Sequence, residues 1–305
     1  MLLDTASLYF RAFFGVPDTF RSPHGEPVNA VRGLLDFIAR LVNDYSPTHL
    51  ACCWDNDWRP QWRVDLIPTY KSHRVVSVIP GPAPDIEEVP DPLSAQIPVI
   101  VEILHALGIA IVGADAHEAD DVIGTLATTA TCPVDIVTGD RDLFQLVDDA
   151  RAVRVLYTAR GVARHEQITD EAVVARYGVL PSQYADFATL RGDASDGLPG
   201  VSGVGEKTAA ALLLKYADLR GIREAAADPG SDMAPGPRAK ILGASGYLAV
   251  APRVVAVATD LELGTPDLRL PRTPPAPERV AELAQRWGLE SSVTRVLEAV
   301  AKASG

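Results

Sequence analysis

The chain opens directly on an apolar run. Met1–Leu3 reads as a short strand, and a helix follows it. From Val28 to about Tyr45, the apolar positions Val31, Leu34, Leu35, Ile38, Leu41 and Val42 recur at i, i+3, i+4, i+7 spacing, which predicts a second helix with one buried face. Leu50–Trp54, Ile109–Val112 and Val134–Thr138 read as further strands, and helical patterns over Leu93–Leu107 and Ala119–Ala130 lie between them. Strands spaced by helices predict a parallel sheet in an α/β domain. Between Asn56 and Pro98 the pattern breaks. The first part is basic and aromatic (Trp58, Arg59, Trp62, Arg63, Tyr70, Lys71, His73, Arg74), and the second is proline-rich and acidic. A long segment without a sheet strand inside such a domain points to function or disorder. After about Gln167 the strands stop. Short helical patterns follow, punctuated at Gly192–Gly205, Asp228–Pro237 and Pro271–Pro277, and Glu278–Ala303 reads as two helices broken at Gly288. The boundary between the α/β half and the helical half falls near residues 165–180.

Composition narrows the class. Of 305 residues 47% are hydrophobic, enough for a sizeable core, and the 22% that are charged mix both signs, unlike a disordered chain. Forty Asp and Glu against 28 Lys and Arg leave a net charge of -12. That excludes a polybasic coat for nucleic acid but leaves room for a local basic groove. Cys52, Cys53 and Cys132 are an odd number, and the adjacent pair cannot bridge without strain, so the count suits a reducing compartment. No zinc-type C-x-x-C spacing occurs. The N-terminus lacks the basic start and long apolar core of a signal peptide. The most membrane-like stretch, Ile97 to Ala114, contains Glu102 and His105 and reads as a helix, a turn at Gly108 and a short strand. These features predict a soluble, cytoplasmic protein with no membrane association.

The acids are not scattered. In a parallel α/β sheet, ligands bind beyond the carboxyl ends of the strands. Asp4 ends the first predicted strand and Asp55 the second; Glu118, Asp120 and Asp121 follow the third; Asp140 and Asp142 follow the fourth. Any one of them has an ordinary explanation, Asp4 as a helix cap and Glu118–Asp121 as acids in the first turn of a helix. Acids after every one of those strands are harder to explain that way. Converging on one edge, they would repel one another strongly unless cations neutralised them. An all-oxygen cluster suits Mg²⁺ or Mn²⁺ rather than zinc.

A second acidic pair, Asp193 and Asp196, precedes a glycine-rich run ending in Gly200-Val201-Ser202-Gly203-Val204-Gly205-Glu206-Lys207-Thr208. The run reads as a helix–hairpin–helix turn. Its glycines let the backbone approach a phosphate, the amides of the following helix N-terminus face the anion, and Lys207 adds a mobile positive charge. An ordinary interhelical turn is the plain alternative. A P-loop is excluded, because Glu206 intervenes before Lys207-Thr208 and no apolar strand precedes.

With Leu2-Leu3-Asp4, Trp54-Asp55, Tyr70-Lys71-Ser72-His73-Arg74, Glu118-Ala119-Asp120-Asp121, Thr138-Gly139-Asp140-Arg141-Asp142 and Gly192–Thr208 in this order, the sequence resembles the 5′-nuclease superfamily. It is similar to the 5′–3′ exonuclease that often forms the N-terminal domain of bacterial DNA polymerase I, here as a stand-alone chain. The resemblance covers nearly the whole length. It implies a PIN-like α/β nuclease domain over residues 1–170 with an arch over 56–98, a helix-three-turn-helix module over 171–270, and C-terminal helices over 271–305 that pack back on the core. It implies metal ligation by Asp4, Asp55, Glu118, Asp120, Asp121, Asp140, Asp142, Asp193 and Asp196. It also implies a phosphate clamp of Lys71 and Arg74, stacking of Tyr70 on a terminal base, and duplex contacts by Gly200, Val201, Gly203, Gly205 and Lys207. A potassium ion on the hairpin carbonyls between Gly200 and Gly205 is a further expectation. Two departures stand out. Gly197 replaces the usual Asn, which predicts a looser turn. Residues 75–98 are rich in prolines that preclude one continuous helix. Trp58 and Trp62 are spaced to pack the arch.

The activity so implied is hydrolysis of phosphodiesters near DNA 5′ ends, flaps included, in replication or repair. Two divalent ions about 4 Å apart would activate water and stabilise the leaving 3′ oxygen. The implied partners are DNA with a 5′ flap or end and a polymerase or clamp, and the protein is expected to act as a monomer. Three rivals are weaker. Asp4-Thr5-Ala6 lacks the second Asp of a haloacid-dehalogenase-like phosphatase. A PIN-type ribonuclease lacks the hairpin module. A catalytically silent DNA-binding module would have lost acids, and none is lost.

Overall fold

The computed structural model describes residues 1–79 and 85–303. Strands β1 (Leu2–Asp4) and β2 (Ala51–Trp54) flank helices α1 (Thr5–Gly15) and α2 (Asn29–Tyr45). Then come α3 (Gln61–Leu66), the two-stranded antiparallel ribbon β3 (Val75–Ser77) and β4 (Ile86–Glu87), α4 (Asp91–Ser94), α5 (Ile97–Leu107) and β5 (Ala110–Gly113). Helix α6 (Ala119–Thr129) leads into β6 (Val134–Thr138), β7 (Val153–Tyr157) and β8 (Glu166–Ile168). The main sheet is six-stranded in the order β5-β2-β1-β6-β7-β8, parallel except for β8.

The predicted strands and helices are present, with instructive differences. The apolar stretch from Ile97 divides as expected into α5, a left-handed Gly108 cap and β5. The helix expected from Leu93 starts instead at Ile97, after a separate turn at α4, and Pro98 occupies its first turn. Strands β7 and β8 extend the sheet beyond the four strands expected. The stretch 56–98 contains the β3–β4 ribbon, which stands apart from the main sheet. Pro80, Pro82 and Pro84 of the proline-rich part lie outside the described residues.

Because side chains alternate across a strand, adjacent Cys52 and Cys53 point to opposite faces, both buried and both free thiols. Leu3, Cys52 and Val137 face a layer of α1, α2 and α5. The last helices, α13 (Pro277–Trp287) and α14 (Glu290–Ala303), join that layer by packing on α5 and α2. Leu2, Ala51, Cys53 and Ile136 face α6 and the helical part of the chain. That part comprises α7 (Asp170–Tyr177), α8 (Tyr184–Arg191), α9 (Glu206–Tyr216), α10 (Leu219–Ala227), α11 (Pro235–Gly243) and α12 (Ser245–Val255). Among the described residues no helix is long and apolar enough to cross a membrane.

The basic–aromatic segment packs closely onto the body. Ile67 and Tyr70 are buried against Ala188, Leu198, Ala251, Val254 and Val255. The Arg63 side chain, 2% exposed, donates to the Val254 carbonyl of α12 at 3.2 Å. Gly197 explains how the backbone fits. It sits at φ +70, and a Cβ there would stand 2.0 Å from the Thr69 carbonyl oxygen. Thr69 Oγ1 donates to the Gly197 carbonyl (2.7 Å), and the Lys71 amide donates to the Asp196 carbonyl (2.9 Å). The expectation that Gly197 loosens the turn is therefore corrected: the missing side chain is what lets residues 69–71 dock. Gly197→Ala should combine left-handed strain with this clash and lower stability by about 1–3 kcal/mol. Hydrogen exchange at the Lys71 amide should accelerate beyond the global change, and an unaltered exchange rate would show that the contact does not hold the segment.

Candidate active site

The carboxyl ends of β1, β2, β5 and β6 meet at one edge of the sheet, and a cavity of about 240 Å³ opens there. Asp4, Asp55, Glu118, Asp120 and Asp140 line it together with Lys71, Arg74 and Glu87. Parallel pairing brings acids from distant parts of the sequence to one edge, because every strand ends on the same side. Asp4 caps a helix, as its sequence context suggested. Its Oδ1 caps α1 by accepting from the Ser7 amide (3.1 Å), while Oδ2 accepts from Thr138 Oγ1 (2.6 Å). Asp55 Oδ1 accepts from the Ala119 amide at the start of α6 (2.7 Å).

Burial and crowding by like charges raise the proton affinity of these acids. Burial, reinforced by Asp55 and Asp140, pushes Asp4 up to about 7. Burial also raises Asp55, and it raises Asp120 strongly with help from Asp4 and Asp140. A neighbouring group continues the acidic surface. Burial and Asp140 raise Asp142, which also feels Asp196 and Asp193. Asp193 accepts from the Ser195 amide (2.8 Å) and Arg191 (3.2 Å), and Arg141 approaches it at 3.7 Å. Asp196 pairs with Arg74 at 3.2 Å.

A buried arginine and a half-buried lysine from the docked segment balance the other flank. Arg63 bridges Glu118 (2.8 Å) and Asp121 (2.7 Å from Nη2, 2.8 Å from Nη1). Burial alone would raise the Asp121 pKa, but Arg63 outweighs it and holds the carboxyl below its usual range. The Ala258 and Glu118 amides also donate to Asp121. Asp121 therefore departs from the expected ligand set, because its oxygens are spent on a buried ion pair and on capping α6. Lys71, left-handed at φ +46, pairs with Glu118 Oε2, and Tyr70 donates its hydroxyl to Glu118 Oε1 (2.6 Å). Burial would depress Lys71, yet Glu118 and Tyr70 hold its pKa well above the ordinary value. Tyr70 is corrected too: its ring is 4% exposed and braces Glu118, with no free face for a base. Trp58 and Trp62 serve packing, through indole bonds to the carbonyls of Asp85 (2.7 Å) and Ala116 (3.1 Å).

Whether these residues suit a divalent cation can be tested on the donors themselves. All are oxygens, and Asp142 Oδ1 is buried with no hydrogen-bond partner among the described residues. A buried carboxylate oxygen without a donor is what a cation would complete. Among the described residues no three acids form a ready-made ligand set, and Thr138, Lys71, Arg63 and backbone amides engage several of their oxygens. The donor chemistry fits a divalent cation.

The hairpin lies between α8 and α9. Gly200 and Gly203 are left-handed (φ +66 and +72), Val201 is buried, Gly205 precedes α9, and Lys207 is exposed in its first turn. The carbonyls of Val201 and Gly205 already accept from the Val204 and Ala209 amides (2.9 Å each). The Gly203 carbonyl accepts from Lys240 Nζ of α11 at 2.7 Å. Sequence reasoning missed Arg63, Glu87 and Lys240 as site residues. Arg63 could have been found from its basic–aromatic context. Lys240 carries no local signal, because only folding brings it to the turn.

The family of 5′–3′ exonucleases matches the chain in two parts: the N-terminal resolvase-like domain over residues 1–178 and the C-terminal SAM fold over residues 179–278. A 5′–3′ exonuclease of Streptomyces coelicolor is 59% identical over 97% of this chain and 98% of its own. One of Mycobacterium tuberculosis is 53% identical over 98% and 97%. Among solved structures, the T5 D15 protein co-crystallized with metal ions aligns over 98% of both chains with a TM-score of 0.63 at 15% identity, a likeness of fold. The chain belongs to the 5′–3′ exonuclease family.

Two outcomes follow from this electrostatic balance. Arg63→Met should lower the unfolding free energy by about 3–5 kcal/mol, since it strands two buried carboxylates. Urea unfolding of wild type and variant measures this. The second concerns pH. A carboxyl whose folded pKa is raised binds its proton more tightly folded than unfolded, so stability falls as pH rises from the ordinary Asp value toward about 7. In chelator the melting temperature should therefore drop between pH 5 and pH 8, and Mg²⁺ should restore it at pH 8 far more than at pH 5. A melting temperature indifferent to both would contradict the assignment of these acids.

Proposed function

We propose that this family member hydrolyses phosphodiester bonds near the 5′ ends of DNA, including 5′ flaps, with two or more Mg²⁺ or Mn²⁺ ions held at the strand ends. The observation that carries the proposal is the meeting of Asp4, Asp55, Glu118, Asp120 and Asp140 with Lys71 and Arg74 around one cavity, adjoining the surface of Asp142, Asp193 and Asp196. Asp4, Asp55, Glu118 and Asp120 would hold one ion, Asp142, Asp193 and Asp196 another, with Asp140 between the two sets. When bound, the ions supply an acidified water and charge neutralisation at the leaving oxygen.

The chain's own contribution is positioning. Glu118 is held in place by Arg63, Tyr70 and Lys71, so its orientation is set before substrate arrives. Lys71 and Arg74 line the cavity and each is balanced by a carboxylate, Glu118 and Asp196. A scissile phosphate entering the cavity would share these donors, whose hold strengthens as negative charge builds. With Tyr70 buried, exposed Phe14 and partly buried Phe10 offer aromatic surface to an unpaired base. They line an adjoining cleft of about 770 Å³ with His73 and Arg74. The hairpin turn and Lys207 would meet the duplex backbone.

The test incubates the protein with a 5′-flap duplex, single-stranded RNA and p-nitrophenyl phosphate, with and without EDTA. Cleavage of the flap duplex alone, abolished by EDTA and nearly abolished by Asp140→Ala or Asp193→Ala, is the expected result. Lys71→Ala should lower the single-turnover rate by about 10²–10³ while changing the dissociation constant far less. Full activity in chelator or in both Asp variants would overturn the reading. A Lys71 variant that only binds more weakly would make that residue a binding group.

A further inference from the structure

The Gly203–Lys240 contact gives the hairpin a cation of its own. Gly203 is left-handed, and a Cβ there would stand 3.1 Å from Lys240 Nζ and 3.2 Å from Cε. Glycine is thus what allows the lysine stem to lie against the turn, and the ammonium then donates to the Gly203 carbonyl at 2.7 Å. Lys240 is exposed, and among the described residues no carboxylate pairs with it. An ammonium has three donors, so two N–H groups remain for a ligand. The Gly203 carbonyl therefore already has a cation against it, the Lys240 ammonium.

We propose that Lys240 stands in for a monovalent cation at the hairpin, neutralising the Gly203 carbonyl and presenting its remaining N–H groups to a phosphate of duplex DNA seated on the Gly200–Gly205 turn. The ammonium carries the same charge as K⁺ and nearly the same radius, but it is tethered through α11 and always in place. Lys207 approaches the same turn from α9, so two lysines distant in sequence would flank one phosphate track. The proposal rests on the nuclease reading above, because it needs a duplex at the hairpin.

The experiment is equilibrium binding of a 5′-flap duplex in EDTA, in KCl and in LiCl at equal ionic strength. Wild type should bind equally in the two salts. Lys240→Met should bind about tenfold more weakly in LiCl, the worth of one charge-assisted contact, and recover in KCl as the free ion takes the vacated place. In LiCl its salt slope should fall by about one. Lys240→Arg, which keeps the charge, should bind as wild type in both salts, and thermal melting checks that each variant is folded. Tighter wild-type binding in KCl, wild-type affinity in Lys240→Met, or a loss that KCl does not recover would each overturn the proposal. Failure of wild type to bind the duplex in either salt, and again with Ca²⁺ in place of EDTA, would overturn the nuclease reading itself and this proposal with it.

Discussion

The structure depends on one electrostatic constraint: a parallel sheet that ends strand after strand in carboxylates must find positive charge for them. The chain supplies part of it. Arg63 lies buried between Glu118 and Asp121, and Lys71 lies against Glu118 on the other side. What the chain does not balance is equally telling. Asp4, Asp55, Asp120 and Asp142 all have raised proton affinity, and burial is the leading cause for each. The acids therefore divide into a flank neutralised from within and a flank whose charge the chain leaves unbalanced, and Glu118 stands where the two meet.

That division explains why the 61–74 segment docks so tightly. Arg63 and Lys71 must reach the sheet edge, and both come from a stretch anchored on the helical half through Val254, Asp196 and Gly197. The helical half thus does more than present a hairpin. It holds the backbone from which the cations extend, so displacement of the Asp193–Leu198 turn would reach Glu118 through residues 69–71. Lys240 at the hairpin is a smaller instance of the same device, a tethered cation placed on the Gly203 carbonyl.

Much of this was legible in the sequence, for physical reasons. Apolar runs of strand length separated by helical periodicity fix an α/β order, and the strand-end rule locates Asp4, Asp55, Glu118–Asp121 and Asp140–Asp142 without knowledge of strand order. Which acids face the cavity was not legible. Asp120 and Asp121 are neighbours, yet one lines the cavity and the other is sequestered by Arg63, because successive helical residues point about 100° apart. Tyr70 reads as a stacking residue until its burial is seen. Gly197 reads as a weakness until Thr69 is found against it.

The central claim is that the unbalanced acids await divalent cations. It is tested most directly by counting Mn²⁺ bound at neutral pH in calorimetric titrations of wild type and Asp142→Ala, without DNA. Asp142 holds the buried oxygen that has no partner among the described residues. Binding of two or more ions by wild type, with one fewer or markedly weaker binding in the variant, is the predicted result. No binding by wild type, or an unchanged isotherm in the variant, would contradict the account.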